Sequence, residues 1–179
     1  MRVMGIDPGL TRCGVGIVEG TVGRACTLVG VGVARTSSDD PLPTRLCDLD
    51  SQLSQYVDRY RPEAVAVERV FSQHNTASVI GTAQASAVAI LIGAKADVPV
   101  TTYTPSEAKA AITGFGGADK KQMTAMVTRL LRLDTPPKPA DAADALALAI
   151  CHVWRGHASH RLAQAAARRN GTRTGRSGA

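Results

Sequence analysis

Four carboxylic acids in this sequence stand apart from those on exposed helix faces. Asp7 ends one short apolar segment, and Glu68 ends another. Asp141 and Asp144 lie three residues apart near the start of a helical pattern, so both project from one face of that helix. If the two apolar segments are neighbouring strands, the four carboxylates meet at one rim of the fold.

Carboxylates gathered in this way would carry out chemistry only with a cation. They repel one another, and their pKa values rise unless a positive charge is present. Oxygen ligands with room for water suit Mg²⁺ or Mn²⁺, and the lack of a His or Cys cluster argues against zinc. Two such ions, about 4 Å apart, stabilise both the attacking and the leaving oxygen of an in-line phosphoryl displacement. We therefore predict a site for Mg²⁺, with two ions and with Mn²⁺ as a substitute.

A structural explanation exists for three of the acids when each is taken alone. Asp7 belongs to a turn-forming D-P-G, and acids are favourable in the first turn of a helix, where Asp141 and Asp144 lie. Glu68, at the end of an apolar strand, has no such local role. The four acids together favour the metal site.

The hydrophobic pattern predicts one mixed five-stranded sheet with helices on its faces. The first three strands are joined too closely for crossover helices, so they form an antiparallel meander. Helices then alternate with two further strands, which is typical of parallel pairing. The predicted strands are Arg2–Asp7, Cys13–Val18, Ala25–Arg35, Ala64–Glu68 and Pro99–Tyr103. The predicted helices cover about 46–60, 76–96, a short stretch from 104, a stretch after Asp119, and 140–155.

The last helix is expected to lie on the sheet through the face that carries its two acids. Leu148 and Cys151 continue that face. Leu146, Ile150 and Val153 are expected to point away from the sheet, towards another apolar surface. Glycines in the second strand suggest close approach by another backbone.

Charge and composition indicate one domain with a basic tail. The chain has 179 residues, of which 44% are hydrophobic, and a formal net charge of +6. Six of the 21 Lys and Arg residues lie in 145–179, which holds none of the 15 acids. We expect a domain over 1–155 and a flexible tail over 156–179, which either binds an anionic polymer such as nucleic acid or only solubilises the protein.

Cysteine spacing and hydropathy indicate a cytoplasmic protein. The four cysteines form no C-x-x-C pair and fit no disulfide framework, so they are expected to be reduced. The longest apolar run, Ala87–Ala94, is too short to cross a bilayer.

Four motifs together resemble the RuvC family of Holliday-junction resolvases. They are G-I-D-P-G-L-T at 5–11, V-E-R-V-F at 67–71, G-x-G-x-A-D-K at 114–120 and D-A-A-D-A-L at 141–146, in order over about residues 1–155. The resemblance implies a ribonuclease-H-like fold, a homodimer and an Mg²⁺-dependent endonuclease with Asp7, Glu68, Asp141 and Asp144 as the metal-binding acids. It also implies symmetric nicking of two opposed strands of a four-way junction in recombination and repair, leaving 5′-phosphate ends, alongside the RuvA–RuvB branch-migration complex.

Five further residues are candidates for contact with DNA. Lys109, Lys120, Lys121 and Arg69 are either phosphate contacts or solvated surface charges, and the resemblance favours Lys109 and Lys120. Phe71, in a polar segment after Glu68, either inserts between bases as a wedge or packs beneath its loop. The resemblance favours the wedge.

The segment 78–94 is apolar on more than one helical face. One face can cover the sheet, and the remainder predicts a partner helix in a twofold dimer, with a fully buried central helix as the alternative.

Two other functions compete with a junction-resolving nuclease. One is a phosphate-handling protein of the actin and sugar-kinase group, although those chains need two such domains. The other is a DNA-binding module that keeps the fold without the chemistry, although the presence of all four acids argues against it.

Overall fold

A computed structural model describes residues 1–70, 76–139 and 141–155 of the chain. The strands are β1 (Arg2–Asp7), β2 (Arg12–Glu19), β3 (Thr27–Arg35), β4 (Ala64–Glu68) and β5 (Val100–Tyr103). The helices are α1 (Leu42–Tyr60), α2 (Thr76–Lys95), α3 (Pro105–Thr113), α4 (Lys120–Leu130) and α5, which spans residues 141–155. The predicted tail over 156–179 lies outside the described residues.

The five strands form one sheet in the order β3-β2-β1-β4-β5. The short connections make β1, β2 and β3 antiparallel neighbours, whereas α1 and α2 provide the crossovers that place β4 and β5 parallel. The predicted mixed sheet is confirmed, and so is the pairing of the first strand with the fourth. The carboxyl ends of β1 and β4 therefore lie side by side at one rim of the sheet.

Alternation along the strands divides the core between the two faces of the sheet. On one face, Met4, Ile6 and Val67 pack in a cluster with buried residues of α1 and α2, such as Leu53 and Ala89. The opposite face carries the cluster formed with α3, α4 and α5. Helices thus cover both faces, as predicted. Asp7 and Glu68 fall on the face covered by α5, since they continue the alternation that begins at Val3 and Ala64.

Backbone lies directly on backbone where α5 crosses β1 and β2. A Cβ atom built on Gly5 would lie 1.9 Å from the carbonyl oxygen of Ala145, and one on Gly14 would lie 2.5 Å from that of Asp141. One built on Gly16 would lie 2.7 Å from the backbone nitrogen of Leu146. The close approach predicted from the glycines of the second strand is therefore made by α5, and it fixes the start of this helix over the end of β1.

The predicted orientation of α5 is wrong in part. Leu146 lies against Gly16 of β2, and Val153 lies near Gly20, so these side chains face the sheet side. The sulfur of Cys151 is instead 4.0 Å from the carbonyl oxygen of Glu107 in α3. Residues 145–151 of α5 are buried all round, so hydrophobic spacing could not tell the sheet from the neighbouring helices.

Strand β3 forms one edge of the sheet, and α1 covers the end of that edge. The side-chain amide of Gln52 accepts a hydrogen bond from the backbone nitrogen of Arg35 at 3.0 Å and donates one to its carbonyl oxygen at 2.8 Å. These are the two bonds that an additional strand would make with this residue.

In the part of the chain that is described, no helix is long and apolar enough to span a membrane.

Candidate active site

The rim shared by β1 and β4 carries two of the predicted acids. Ile6 pairs with Val67 in parallel register, so the next residues, Asp7 and Glu68, follow one another across the ends of the two strands. Both are partly buried. Glu68 is also in register with Tyr103, the last residue of β5, so the start of α3 lies at the same rim.

The other two acids enter from the first turn of α5. Asp141 is placed by the contact of its backbone with Gly14, the residue that pairs with Asp7 in the sheet. Asp144 follows one helical turn later, on the same face. The structure thus brings the four predicted acids to one rim.

The electrostatics of Asp7 show how closely the acids are grouped. Burial raises the pKa of its carboxyl to about 7, and the charges of Glu68, Asp144 and Asp141 contribute to the rise. The charge of Lys120 acts in the opposite direction. All three other acids act on Asp7, so it occupies the centre of the group.

The ionised carboxyl of Glu68 is also destabilised by its surroundings. Burial raises the pKa of its carboxyl, the charge of Asp144 adds to the rise, and Lys109 of α3 opposes it. The predicted cation Lys109 therefore lies close to the acid at the end of β4.

Two cationic side chains of the chain itself bind the acids of α5. The Nε of Arg12 lies 2.6 Å from an Oδ of Asp141, and the Nζ of Lys120 lies 3.3 Å from an Oδ of Asp144. The charge of Asp144 and its hydrogen bond raise the pKa of Lys120. Sequence reasoning missed Arg12, because 129 positions separate it from its partner and no local signal joins them.

The donor set suits a hard divalent cation. It consists of carboxylate oxygens at a partly buried rim, where the chain already supplies Arg12 and Lys120 as counter-charges. With the side chains as they lie, no three His, Cys, Asp or Glu residues within the described ranges are close enough to hold one ion. The residues fit a divalent cation in chemistry and in charge, and the two ion pairs hold Asp141 and Asp144 in their present positions.

The remaining predicted contacts with DNA are Arg69, Lys121 and Phe71, of which the structure describes the first two. Arg69 is exposed and donates a hydrogen bond to the hydroxyl of Thr102 on β5, at 3.2 Å. Lys121 is exposed and follows Lys120 in the first turn of α4, rotated from it by about 100° around the helix. Phe71 lies outside the described residues, and its prediction as a wedge stays open.

A second phenylalanine at this rim was missed. Phe115 lies between α3 and α4 and is 68% exposed. The glycines around it end a predicted helix and belong to the G-x-G-x-A-D-K motif, but Phe115 itself is not among the predicted contacts. The signal was available, since an aromatic residue flanked by Gly114, Gly116 and Gly117 has few local side chains to cover it.

The fold and the site define the class of protein. The sheet order, the acids that end β1 and β4, and the acids on a helix packed over those strands are the arrangement of a ribonuclease-H-like nuclease.

Comparison with known proteins narrows this class to a family. The family model described as crossover junction endodeoxyribonuclease RuvC matches residues 3–152. The chain therefore belongs to the RuvC family.

Close relatives carry the same name. The crossover junction endodeoxyribonuclease RuvC of Salinispora arenicola is 69% identical over 175 residues, which cover 97% of this chain and all of the relative. That of Streptomyces avermitilis is 66% identical over 93% of this chain and 95% of its own. Among solved structures, Thermus thermophilus RuvC in complex with a Holliday junction substrate superposes with a TM-score of 0.83 at 33% identity, covering 89% of this chain and 96% of that one.

Proposed function

We propose that this protein resolves four-way DNA junctions by nicking two opposed strands symmetrically, in recombination and DNA repair. The observation that carries the proposal is the grouping of three other acids around the partly buried Asp7 at the end of the central strand. Membership of the RuvC family and the likeness to a RuvC bound to a junction support the choice of substrate.

The RuvC family consists of metal-dependent nucleases, and we propose Mg²⁺ as the metal here, at two ions per site and with Mn²⁺ as a substitute. Asp7, Glu68, Asp141 and Asp144 would hold it. When held there, the ions would supply positive charge that lowers the pKa of a water nucleophile and offsets the charge on the leaving 3′ oxygen, so that cleavage would leave 5′-phosphate ends. Asp7 is the central ligand of the set, since its carboxyl interacts with each of the other acids.

The basic residues at the rim position the DNA backbone. Lys109 lies close to Glu68, and Lys120 contacts Asp144, so both present an ammonium group beside the acids. Two further exposed cations lie next to them in the chain, Lys121 after Lys120 in α4 and Arg69 after Glu68. Phosphate contacts from these residues orient the strand to be cut while carrying no sequence information.

A dimer would provide two such sites for two strands. The exposed side of α2 carries an apolar stripe in which Ile80, Ile90 and Leu91 are 55%, 40% and 49% exposed. The small residues Ala83 and Ala87 continue the stripe between them. A contiguous apolar face of this kind suits a second copy of the chain packed by twofold symmetry, which would turn two equivalent sites towards opposed strands.

Three further features belong to the proposal. We place the nuclease domain in residues 1–155 and assign 156–179 as a basic tail, consistent with a family match that ends at 152.

The free thiols of the four cysteines are consistent with the reducing cytoplasm, where chromosomal DNA is held. Action alongside the RuvA–RuvB complex is proposed from the family resemblance.

A nicking assay tests the proposed function directly. Purified protein with Mg²⁺ should cut a synthetic four-way junction at symmetric positions and leave a linear duplex of the same sequence intact. The Asp7→Asn variant should lose at least about a thousandfold in rate while its junction affinity stays within about threefold of wild type, because a metal ligand is lost and no phosphate contact is. Normal turnover by this variant at saturating Mg²⁺ would contradict the metal role. Binding without any nicking by the wild type would instead favour a DNA-binding module.

A further inference from the structure

The loop between α3 and α4 holds an aromatic ring in solvent. Phe115 is 68% exposed, the highest value among the large hydrophobic residues that the structure describes as exposed, and it is the one aromatic residue of that group. Leaving a side chain of this size in water forgoes the stabilisation that its burial would give. A ring presented in this way is available to a partner.

Backbone and side-chain contacts hold the loop in one shape. Helix α3 ends at Gly114, whose φ of 79° lies in the left-handed region that glycine adopts readily. The hydroxyl of Thr113 accepts a hydrogen bond from the backbone nitrogen of Phe115 at 3.1 Å and lies 2.9 Å from its carbonyl oxygen. The nitrogen of Ala118 donates to that same carbonyl at 3.3 Å. The loop therefore presents Phe115 from a fixed backbone.

The ring itself rests on a glycine. A Cβ atom built on Gly117 would lie 2.7 Å from Cζ of Phe115 and 2.8 Å from Cε1. One edge of the ring is thus held against the backbone of Gly117, while the rest of it stays exposed. Preorganised aromatic side chains bind at low entropic cost, because few rotamers are lost on contact.

Two contacts place this loop at the rim of the four acids. Gly116 lies against Ser106 in the first turn of α3, which follows the end of β5 beside Glu68. On the other side, the loop leads into α4, whose first residue, Lys120, binds Asp144. Phe115 therefore lies between the start of α3 and the cation at Asp144.

The surroundings of the ring identify its partner. Lys109 precedes the loop on α3, and Lys120 and Lys121 follow it on α4. An apolar face among ammonium groups fits a nucleic acid, in which phosphates meet the cations and a base meets the ring. In the open form of a four-way junction, base stacking is interrupted at the branch point, which leaves base faces that a duplex does not offer.

We infer that Phe115 stacks on a nucleobase exposed at the branch point of the junction and thereby contributes to recognition of branched over linear DNA. This inference rests on the proposed function, since it assumes that junction DNA binds at this rim. The lysines contact the charged phosphates of the substrate. The ring of Phe115 adds a contact that depends on the shape of the junction.

Junction affinity without cleavage tests the inference. In EDTA, Phe115→Ala should weaken binding to a four-way junction by about 5- to 100-fold, the range expected for one stacked base. Binding to a linear duplex should change by less than about threefold. The Phe115→Tyr variant, which keeps an aromatic ring, should bind the junction as the wild type does. The slope of log affinity against log salt should stay unchanged, because no phosphate contact is lost. The matched control is Val22→Ala, at an exposed apolar residue on the β2–β3 connection.

A second variant tests the fixed position of the ring. Gly117→Ala places a methyl group against the ring and must displace it, so it should weaken junction binding when Phe115 is present. The same substitution in the Phe115→Ala background should have no effect. A base analogue at the branch point should report the stacking as a change in fluorescence that Phe115→Ala removes.

The inference and the proposed function fail separately. Junction affinity of Phe115→Ala within twofold of wild type, or an equal loss for Val22→Ala, would overturn the inference even if the wild type nicks junctions normally. A wild type that neither binds nor nicks junctions would overturn both.

Discussion

Of the four acids at the candidate site, Asp7 is the one whose position most destabilises the folded protein. A carboxylate in this position is destabilised by its burial and by the charges of the three other acids, which together raise its pKa to about 7. Such conflicts are typical of functional sites, where a charge is held for its chemistry. The cost in the metal-free protein can be measured.

We predict that Asp7→Asn stabilises the protein in EDTA. The unfolded chain releases the proton of Asp7 near pH 4, whereas the folded chain keeps it up to about pH 7, so stability falls as pH rises through this window. Asparagine removes that loss. Thermal unfolding should show similar stability for the two proteins near pH 4 and an advantage of about 1–3 kcal/mol for the variant near pH 8.

Two comparisons check this prediction. Asp48→Asn, at an exposed acid of α1, should shift the unfolding temperature by less than about 1 °C at either pH. Mg²⁺ should raise the unfolding temperature of the wild type at pH 8 more than that of Asp7→Asn. A variant less stable than the wild type at pH 8 in EDTA would contradict the prediction.

Lys120 is expected to exchange a protein partner for a DNA partner. In the free protein its ammonium group binds Asp144 at 3.3 Å while remaining largely exposed. If it contacts a phosphate in the complex, Lys120→Ala should lower the slope of log affinity against log salt by about one. Lys95→Ala, which removes the exposed partner of Asp50 at the end of α2, is the control. An unchanged slope for Lys120→Ala would assign the residue to the ion pair alone.

At the scale of elements, the position of α5 decides whether the four acids meet. The helix lies on β1 and β2 through glycines, so no side chain separates its backbone from that of the sheet. Its first turn is thereby fixed over the end of β1.

Gly5→Ala should disrupt this contact. The added methyl group would lie 1.9 Å from the carbonyl oxygen of Ala145 and 2.8 Å from the nitrogen of Ala149, and neither backbone can yield as a flexible side chain would. We expect a loss of about 3 kcal/mol or more in urea unfolding, or failure to fold. Gly81→Ala in α2, where the nearest atom is 3.6 Å away, should instead be neutral or stabilise by up to about 1 kcal/mol. Equal stability of the two variants would contradict this account of the packing.

The sequence predicts the elements of this fold better than it predicts their contacts. Alternation and helical spacing locate the five strands and the acids that end them, because those signals are local. The side of α5 that faces the sheet is predicted wrongly in part, since residues 145–151 of this helix are buried all round. The ion pair of Arg12 with Asp141 joins residues far apart in the chain, and only the folded structure reveals it.

For the molecule as a whole, the exposed apolar stripe on α2 is the surface that a second copy of the chain would cover. We predict a dimer at micromolar concentration in analytical ultracentrifugation, converted to a monomer by Leu91→Glu. The substituted residue is 49% exposed, so the change should leave the fold intact. The monomeric variant should cut single strands without coordinating the two nicks.

A control separates charge from position in this experiment. Leu42→Glu introduces the same charge at a residue that is 40% exposed at the start of α1 and should leave the dimer unchanged. Sedimentation of the wild type as a monomer would refute the twofold arrangement.

The bonds that Gln52 makes with Arg35 bear on how copies of the chain can associate. An open strand edge is a template for pairing with strands of other chains, which extends a sheet from molecule to molecule and leads to fibrils. Here the amide of Gln52 satisfies the end of one edge, and the opposite edge, β5, is only four residues long. Growth through the sheet is thereby discouraged at both margins, so the proposed dimer through α2 would remain a finite assembly on DNA.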